Sequence, residues 1–333
     1  MPAPVSFRSR YKPDKVVVED LSIGAEPIPI RVINNYSDEK PNIFNYATSN
    51  RFTNDASKMV APVGDMKACS CHPRSGCLPG ECECEDASSL IFDPESRIVG
   101  QPIGTSTYND HHYVECGSHC RCRGKCNRYM SHDYLMKKVE IHYKPNMGFG
   151  VIAKQHIAAG MPIINYVGTV VTKEYHDEYR NQLASQTDYI FDNLNEEHSG
   201  IAVLTDAAHH GNISRFINHS CDPNTQIVKV YPYIYAHGSE KISLPKIVIT
   251  ASQNIRPGDE LFVSYGSSYF HTRNIPCLCY TFCCFVPPFD FEEKAQTEKE
   301  AVEERAVRRK AVRENWHNTG DIPSIDPPVF DID

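Results

Sequence analysis

Several features that mark common protein classes are scarce or missing. The 333 residues include one tryptophan, and no apolar run approaches the roughly 18 residues that a membrane-spanning helix needs. The opening sequence, MPAPVSFRSRYKPDK, has no apolar stretch of the kind found in secretion signals. Neither a P-loop nor a GxGxxG sequence occurs, which argues against P-loop and Rossmann-type nucleotide binding. We therefore expect neither secretion nor membrane association.

Positive charge is also in deficit. The chain carries 42 acidic and 34 basic residues, and its formal net charge is −8. Proteins that clamp nucleic-acid phosphates usually carry an excess of positive charge, so we expect no direct sequence-specific nucleic-acid binding. An acidic protein is compatible with a basic partner such as a cationic peptide. The apolar fraction of 41% is ample for a hydrophobic core.

Cysteine, by contrast, is abundant and unevenly placed. Of 14 cysteines, nine lie between positions 69 and 126, and none lies between 127 and 220. The nine follow the spacing C-x-C-x5-C-x4-C-x-C and then C-x3-C-x-C-x3-C. They are Cys69, Cys71, Cys77, Cys82, Cys84, Cys116, Cys120, Cys122 and Cys126. Cysteines used only as small core residues would not cluster in this way.

Two interpretations of the nine cysteines compete. A disulfide framework is disfavoured by the odd number, by the lack of a secretion signal and by the C-x-C pairs, whose members rarely bridge each other. Tetrahedral zinc binds four thiolates, and nine thiolates satisfy three zinc ions if three of the sulfurs bridge two metals. We therefore expect a trinuclear zinc cluster. Removal of its metal should unfold this segment.

A second motif begins at residue 215 and reads RFINHSCDPN. Further on, Cys277, Cys279 and Cys284 form a C-x-C-x4-C pattern. Together with the nine-cysteine segment, this order resembles the pre-SET, SET and post-SET modules of heterochromatin-type protein lysine methyltransferases, which act on lysine 9 of histone H3. The resemblance extends over roughly residues 30–286.

Many short segments rich in Val, Ile and Tyr argue for a mainly β protein with few helices. The resemblance implies a SET-domain fold of small curved β-sheets with a knot-like core, together with the pre-SET trinuclear zinc-cysteine module and a post-SET zinc site. The expected domains are an N-terminal arm (1–60), the pre-SET zinc cluster (61–135), the SET catalytic domain (136–265), the post-SET zinc segment (266–288) and a charged helical and disordered tail (289–333).

Local patterns predict individual elements within this plan. Strands are expected over 162–171, 188–191, 226–235, 247–251 and 260–266, where β-branched and aromatic residues dominate. A surface helix is expected over 173–186, which is polar and rich in helix formers. The connector 87–113 is expected to be a surface loop.

The resemblance assigns contacts with S-adenosylmethionine to several residues. The Gly-x-Gly at 148–150 corresponds to a Gly-Trp-Gly loop of the family, although an isolated motif of this kind more often marks a hairpin turn. The implied cofactor contacts are Gly148, Phe149, Gly150, Tyr189, Arg215, Phe216, Asn218 and His219.

Catalysis is assigned in the same way. Tyr265 corresponds to the catalytic tyrosine of the family, and Tyr166 to a tyrosine that lines its active site. Val263 occupies the position that limits the number of methyl groups, where the family has Phe or Tyr, so trimethylation should be sterically allowed. Thr169 and Ser264 replace acidic residues of the family.

A fourth zinc ion is implied near the C-terminal cysteines. Cys221 with Cys277, Cys279 and Cys284 makes a four-sulfur set that suits tetrahedral zinc. Cys283 is adjacent to Cys284 and is an alternative fourth ligand. The family also places an aromatic residue over the cofactor after this motif, for which Phe282 and Phe285 are the candidates.

The resemblance therefore predicts a nuclear, chromatin-associated histone lysine methyltransferase. Its cofactors would be S-adenosylmethionine and zinc, its substrate the N-terminal tail of histone H3, and its further partners chromatin adaptor proteins. One alternative is a zinc-stabilised chromatin scaffold whose SET domain has lost catalysis. A second alternative is an active methyltransferase with another lysine substrate.

Overall fold

The computed structural model describes most of the chain between residues 13 and 285. The described residues are 13–59, 66–67, 69–71, 77, 82, 91–92, 98–100, 112–117, 120–123, 126, 128–145, 147–182, 189–194, 202–231, 234–235 and 244–285. Cys84 and the predicted charged tail lie outside them. Within these residues, no helix has the length and apolar character needed to cross a bilayer.

The described residues are mostly β, as predicted. The strands of the first half are Val16–Val18 (β1), Val32–Ile33 (β2), Asn45–Tyr46 (β3), Arg51–Phe52 (β4), Met66–Lys67 (β5), Ile91–Phe92 (β6), Ile98–Gly100 (β7), His112–Val114 (β8), Val139–Lys144 (β9) and Gly148–Ala153 (β10). Those of the second half are Pro162–Tyr166 (β11), Thr169–Thr172 (β12), Ile190–Leu194 (β13), Val203–Asp206 (β14), His210–Gly211 (β15), Asn218–His219 (β16), Thr225–Tyr231 (β17), Ile234–Tyr235 (β18), Lys246–Ala251 (β19) and Phe262–Val263 (β20).

Helices are few and short among the described residues. They are Asn54–Met59 (α1), Lys173–Gln182 (α2), Ser267–Arg273 (α3) and the 3-10 helix Ile213–Phe216. The helix predicted over 173–186 is confirmed up to Gln182, and its last residues lie outside the described part. Helices α1 and α3 were not predicted, because six or seven residues are too short to show a clear amphipathic period.

The chain divides into two compact units. The first unit contains residues 1–218 and 223–263, and the second contains 219–222 and 264–333. Three four-stranded sheets build the first unit, in the orders β1-β2-β9-β10, β11-β19-β17-β8 and β13-β14-β12-β4. The expected boundaries between arm, pre-SET and SET modules stay a prediction.

The main core of the first unit lies among these sheets. Alternate residues of β9 and β10 point inward, so that Ile141 and Val151 face each other across the hairpin and are fully buried. Ile30 of the N-terminal arm, Ile163 of β11 and Leu261 join the same cluster, each fully buried. The arm is therefore an integral part of the core.

A buried carboxylate also ties the arm to the β9–β10 hairpin. Glu140 of β9 accepts a hydrogen bond from Arg31 Nε at 2.9 Å and pairs with Lys154 Nζ at 2.8 Å. Burial alone would raise its pKa, but hydrogen bonds from Lys154, His142 and Arg31 outweigh burial and lower the pKa of Glu140 to about 2. The carboxylate is thus held ionised at neutral pH.

The prediction of one continuous strand over 162–171 is wrong, because this segment forms two strands. The structure ends β11 at Tyr166 and begins β12 at Thr169. Between them, Gly168 packs directly on the backbone of Asp206, where a Cβ atom would lie 2.4 Å from the carbonyl oxygen. This close approach turns the chain from one sheet to another.

The strand predicted over 260–266 is also shorter than expected. Only Phe262–Val263 is a strand, and the following residues leave the sheet. The backbone N–H of Tyr265 donates to His219 Nδ1 at 2.9 Å instead of to a neighbouring strand. Gly266 then adopts a φ of 82°, which favours glycine and starts α3.

The prediction of a surface loop over 87–113 is wrong where the chain is described. Strands β6 and β7 pair with each other, and β8 adds to β17 in a parallel register. Tyr113 of β8 is fully buried among Met130, Val228, Val230 and Val248. Tyr113 lies in a polar stretch of sequence without the alternation of apolar and polar residues that would predict a strand.

The other predicted strands differ in their ends or in their continuity. The strand expected over 188–191 begins at Ile190, and the one expected over 247–251 begins at Lys246. The strand expected over 226–235 is described as two, Thr225–Tyr231 and Ile234–Tyr235.

Candidate active site and metal centres

The 3-10 helix that opens the RFINHSC segment is locked by one asparagine. Asn212 Oδ1 accepts hydrogen bonds from Ser214 N at 3.0 Å and Ser214 Oγ at 2.6 Å. Its Nδ2 donates to the carbonyl of Asn165 in β11 at 2.9 Å. This cap satisfies the free N–H groups of a helix start, so the buried segment that carries Arg215 and Phe216 has a fixed path.

Arg215 is buried in a cage of aromatic rings. Its guanidinium carbon lies 4.0 Å from the ring centroid of Tyr189, 4.4 Å from that of Phe44 and 5.2 Å from that of Phe216. Nη2 donates to the Ala208 carbonyl at 3.1 Å, and Nε has no hydrogen-bond partner among the described residues. Burial lowers the pKa of Arg215, while cation–π attraction to the rings stabilises the charge.

The cage unites three of the residues predicted to contact the cofactor, Tyr189, Arg215 and Phe216. It also includes Phe44 of the arm, which the sequence analysis did not single out. Phe44 packs edge-on against Phe216 at 5.8 Å between ring centroids. The signal available in the sequence was only an aromatic residue in a polar stretch, which has no distinctive spacing.

Tyr166 lies at the end of β11 beside the same cage. Its hydroxyl donates to the Tyr189 carbonyl at 2.7 Å, and its ring centroid is 5.7 Å from that of Phe191. Because a phenol has one proton, which this bond uses, any further hydrogen bond of the Tyr166 oxygen has to be an accepted one.

The Gly-x-Gly motif forms the turn and start of the β9–β10 hairpin. Gly148 has a φ of 76°, a conformation that favours glycine. The ring of Phe149 bridges Tyr143 and Phe216, at centroid distances of 5.2 and 6.4 Å. The backbone of the motif is therefore a hairpin turn. The side chain of Phe149 joins the aromatic group around Arg215.

Asn218 is anchored by its amide. Nδ2 donates to the Phe149 carbonyl at 3.2 Å and to Glu260 Oε1 at 2.9 Å. Val263, at the position linked to methyl number, is 8% exposed and belongs to the main core. Thr169 Oγ1 accepts a hydrogen bond from Arg51 Nε of the arm at 2.9 Å, so the departure from an acidic residue is accommodated by a local contact.

In the second unit, Tyr265 and His219 lie together. Besides the bond from Tyr265 N, their ring centroids are 5.4 Å apart, and Phe270 lies 4.6 Å from His219. Tyr265 is 37% exposed, which leaves its ring accessible to a substrate. Tyr269 packs edge-on against it at 4.9 Å and supports its orientation.

The second unit also contains a four-thiol cluster. The sulfurs of Cys221, Cys277, Cys279 and Cys284 all lie within 4.8 Å of one another. Cys221 and Cys277 are 4.0 Å apart, close to the spacing of about 3.8 Å that tetrahedral Zn–S bonds of about 2.3 Å require. Cys283 instead faces Thr281 Oγ1 at 3.8 Å and is not in the set. The donor set fits zinc, with Cys284 rather than Cys283 as the fourth ligand.

The cysteines of the first unit form two interlocked sets of four. One set is Cys69, Cys71, Cys77 and Cys82, and the other is Cys69, Cys77, Cys116 and Cys122. Sulfur distances of 3.9 Å for Cys69–Cys77 and 3.8 Å for Cys69–Cys116 match zinc-bound thiolates and exceed the S–S bond length of about 2.05 Å. Cys69 and Cys77 belong to both sets, as expected for bridging sulfurs.

The other cysteines described in this segment, Cys120 and Cys126, pack in the same cluster. Cys126 lies 3.7 Å from Cys122, and Cys120 is 2% exposed. Burial raises the pKa of Cys69 to about 12, whereas a hydrogen bond with Cys116 lowers the pKa of Cys126 to about 5. Thiols packed this closely can ionise together only beside a positive charge, which zinc ions would supply.

Comparison with protein-family models gives two matches in sequence order. The Pre-SET motif matches residues 22–128, and the SET domain matches residues 148–266. The chain therefore contains a Pre-SET motif followed by a SET domain. The Pre-SET match ends after the first unit's cysteine cluster, and the SET match contains both Tyr166 and Tyr265.

Individual relatives of this SET-domain protein are histone-lysine N-methyltransferases. It is 32% identical over 264 residues to the H3 lysine-9 specific enzyme SUVH5 of Arabidopsis thaliana, a match that covers 78% of this chain and 30% of the relative. It is 33% identical to SUV39H2 of Xenopus tropicalis, with 66% and 52% covered. The chain thus spans about half or less of the length of these relatives.

Solved structures share the fold. A crystal structure of Arabidopsis thaliana SUVH6 in complex with SAM aligns with a TM-score of 0.65 and 27% identity, and the match covers 85% of this chain and 57% of that one. The predicted SET-domain fold is therefore confirmed.

Proposed function

We propose that this protein is a histone-lysine N-methyltransferase that transfers methyl groups from S-adenosylmethionine to lysine 9 of histone H3. The observation that carries the proposal is the intact RFINHSC segment, in which Arg215 is caged by aromatic rings and Asn218 is anchored by its amide. The names of the related enzymes supply the substrate, and the SUVH6 complex supplies the cofactor.

The proposed cofactor contacts fall into three groups. Gly148, Phe149 and Gly150 would line the site from the β9–β10 hairpin. Tyr189, Arg215 and Phe216 would contribute the caged guanidinium and its rings, and Asn218 and His219 would complete the contacts. The buried Arg215 Nε, which has no partner among the described residues, suits a ligand with a negatively charged or acceptor group, such as the carboxylate of an amino-acid moiety.

S-adenosylmethionine supplies an electrophilic methyl group on a positively charged sulfur. The substrate amine has to be neutral to accept it, although the free pKa of lysine is about 10.4. A narrow apolar channel would disfavour the charged amine by desolvation and so promote loss of its proton to bulk water. Tyr265 would orient the amine. Tyr166 would assist it as a hydrogen-bond acceptor, since the hydroxyl proton of Tyr166 is donated to the Tyr189 carbonyl.

Val263 would set the number of methyl groups. It presents a small side chain where the family carries Phe or Tyr, and a small side chain leaves room for an amine that already bears methyl groups. Trimethylation is therefore sterically allowed in this proposal.

The two cysteine clusters would each bind zinc and be stabilised by it. In the proposed domain plan, three ions bind the pre-SET segment 61–135 through its nine cysteines, and one binds Cys221, Cys277, Cys279 and Cys284 beside the post-SET segment 266–288. The arm 1–60 and the SET domain 136–265 complete the plan. These metals replace an apolar core locally and play no part in the chemistry.

The proposed partner is the N-terminal tail of histone H3, which would bind as an extended strand. Chromatin adaptor proteins would then direct the enzyme to its targets, and its site of action would be chromatin in the nucleus. A catalytically decayed chromatin scaffold is the second candidate, favoured by the replacement of acidic residues at Thr169 and Ser264.

Two experiments separate these candidates. Titration calorimetry with S-adenosylmethionine should detect saturable binding to the zinc-loaded protein, and absence of binding would favour the scaffold. A library of histone-tail peptides incubated with labelled cofactor should then take up label at lysine 9 of H3. Label on a different lysine would instead support the alternative substrate.

A further inference from the structure

A buried carboxylate links the cofactor-binding asparagine to a surface lysine. Glu260 follows the Pro-Gly turn at 257–258, and its side chain is only 3% exposed. Its two oxygens have different partners: Oε1 accepts from Asn218 Nδ2 at 2.9 Å, and Oε2 pairs with Lys144 Nζ. A carboxylate buried to this extent is costly unless it is paired, and Lys144 provides the pairing charge.

The contact with Glu260 determines which way the Asn218 amide points. Nδ2 donates to both Glu260 Oε1 and the Phe149 carbonyl, so both of its protons are engaged. A flipped amide would place its oxygen against a carboxylate and a carbonyl, two acceptors that repel it. Asn218 Oδ1 is thereby presented as an acceptor, and it makes no hydrogen bond to any described residue.

The absence of a side chain at Gly150 makes this contact possible. A Cβ atom at position 150 would lie 2.1 Å from Glu260 Oε1 and 3.0 Å from Asn218 Nδ2. The second glycine of the Gly-x-Gly motif therefore admits the Glu260 carboxylate, which is a requirement of the protein's own packing. Gly150 of the hairpin, Asn218 and Glu260 therefore pack directly against one another.

We propose that Glu260 is a positioning residue that fixes the Asn218 amide so that its oxygen accepts a hydrogen bond from a donor group of S-adenosylmethionine. Glu260 acts through Asn218 and does not touch the cofactor itself. The inference rests on the proposed function, because it takes Asn218 to be a cofactor contact.

The test compares cofactor affinity in matched variants of the zinc-loaded protein. In Glu260→Ala the Asn218 amide loses its strongest orienting partner, and we expect the Kd for S-adenosylmethionine to rise about 10-fold or more, the effect of one hydrogen bond to a charged group. Glu260→Gln keeps an acceptor oxygen for Asn218 but sets an amide against Lys144, so its Kd should lie between those of the alanine variant and the wild type.

The matched control is Glu140→Gln on β9. Glu140 is equally buried and pairs with basic side chains, but its partners are Arg31, His142 and Lys154 rather than Asn218. Its Kd for the cofactor should stay within about twofold of the wild-type value. An equal loss of affinity in this control would overturn the proposal, because a general loss of stability would then explain both variants.

Further readouts distinguish positioning from a structural role. In Glu260→Ala the KM for the cofactor should rise while the KM for the histone peptide stays unchanged, at equal zinc content. If the alanine variant does not fold, Glu260→Asp replaces it, since the shorter side chain keeps the charge but withdraws from Asn218, and the same rise in Kd is expected.

Wild-type affinity in a folded alanine or aspartate variant would overturn the positioning role. A wild-type protein that binds no S-adenosylmethionine would instead refute the proposed function. The two failures are therefore separable.

Discussion

At the scale of single residues, the proposal depends most on Tyr265. Its ring is partly exposed in the second unit, and its position there is set by the bond from its backbone to His219. Replacement by Phe removes the hydroxyl and keeps the ring, so the backbone and the ring contacts should persist. We expect Tyr265→Phe to lower the methyl-transfer rate at least about 100-fold, by analogy with loss of one transition-state hydrogen bond.

The rate is measured with labelled cofactor, alongside zinc content. Tyr280→Phe is the control, because Tyr280 lies in the same unit and is 71% exposed. This control should retain its rate. A Tyr265→Phe protein with full activity would refute the catalytic role.

A second residue-scale prediction concerns the product. Val263→Phe should shift the product from trimethyl-lysine towards mono- and dimethyl-lysine, because the larger ring would occupy the space for a methylated amine. The change also overpacks a buried position, at a cost of about 1–3 kcal/mol. Mass spectrometry of the peptide product measures the ratio.

Val230→Phe supplies the control for overpacking. Val230 is fully buried in a different cluster, so its variant should be destabilised without any change in the ratio of products. An unchanged ratio in Val263→Phe would show that this position does not limit methylation.

At the scale of elements, Gly168 is the hinge between β11 and β12. Its carbonyl accepts from Arg51 N at 3.2 Å, and its N–H donates to Asn50 Oδ1 at 3.0 Å, so it also holds the arm strand β4. A methyl group at Gly168 would collide with Asp206. We expect Gly168→Ala to destabilise the fold by about 1–3 kcal/mol and to release strand β4 from β12.

Hydrogen exchange measures the release, because the amides of Arg51 and Thr53 bond to Gly168 and Val170 and should lose protection. Gly24→Ala is the control: a Cβ atom there meets nothing within 4 Å, although its φ of 80° adds a backbone cost. Undisturbed protection of Arg51 in Gly168→Ala would show that β4 does not depend on the close approach.

Local features of the structure could be predicted from the sequence, whereas contacts between distant segments could not. Cysteine spacing and the RFINHSC motif predicted the metal sets and the site segment, because ligand number and local order follow from sequence. The break at Gly168, the buried strand at Tyr113 and the contacts of Phe44 and Glu260 could not be predicted. Each depends on a distant segment of chain, and a residue pattern carries no record of such a neighbour.

At the scale of the whole molecule, zinc should stabilise the cysteine segments separately from the sheets. Removal of metal by a strong chelator should release zinc and expose the amides of Cys120, Arg121 and Arg123 to exchange, because these amides are hydrogen-bonded within the cysteine segment and its buried sulfurs would then repel one another or oxidise. The β9–β10 hairpin, whose core is apolar, should keep its protection.

Re-addition of zinc should restore protection, whereas magnesium should not, since thiolates bind zinc far better than they bind magnesium. Elemental analysis of the untreated protein should find about four zinc ions per chain, three for the nine cysteines between positions 69 and 126 and one for Cys221, Cys277, Cys279 and Cys284. Protein without zinc, or with these cysteines paired as disulfides, would contradict the metal assignment.

The most direct test of the proposed function is mass spectrometry of a histone H3 tail peptide after incubation with the zinc-loaded protein and S-adenosylmethionine. The account predicts mass gains of one to three methyl groups located on lysine 9, and none on a peptide in which arginine replaces that lysine. A peptide that remains unmodified while the protein binds the cofactor, or one methylated at another lysine, would contradict it.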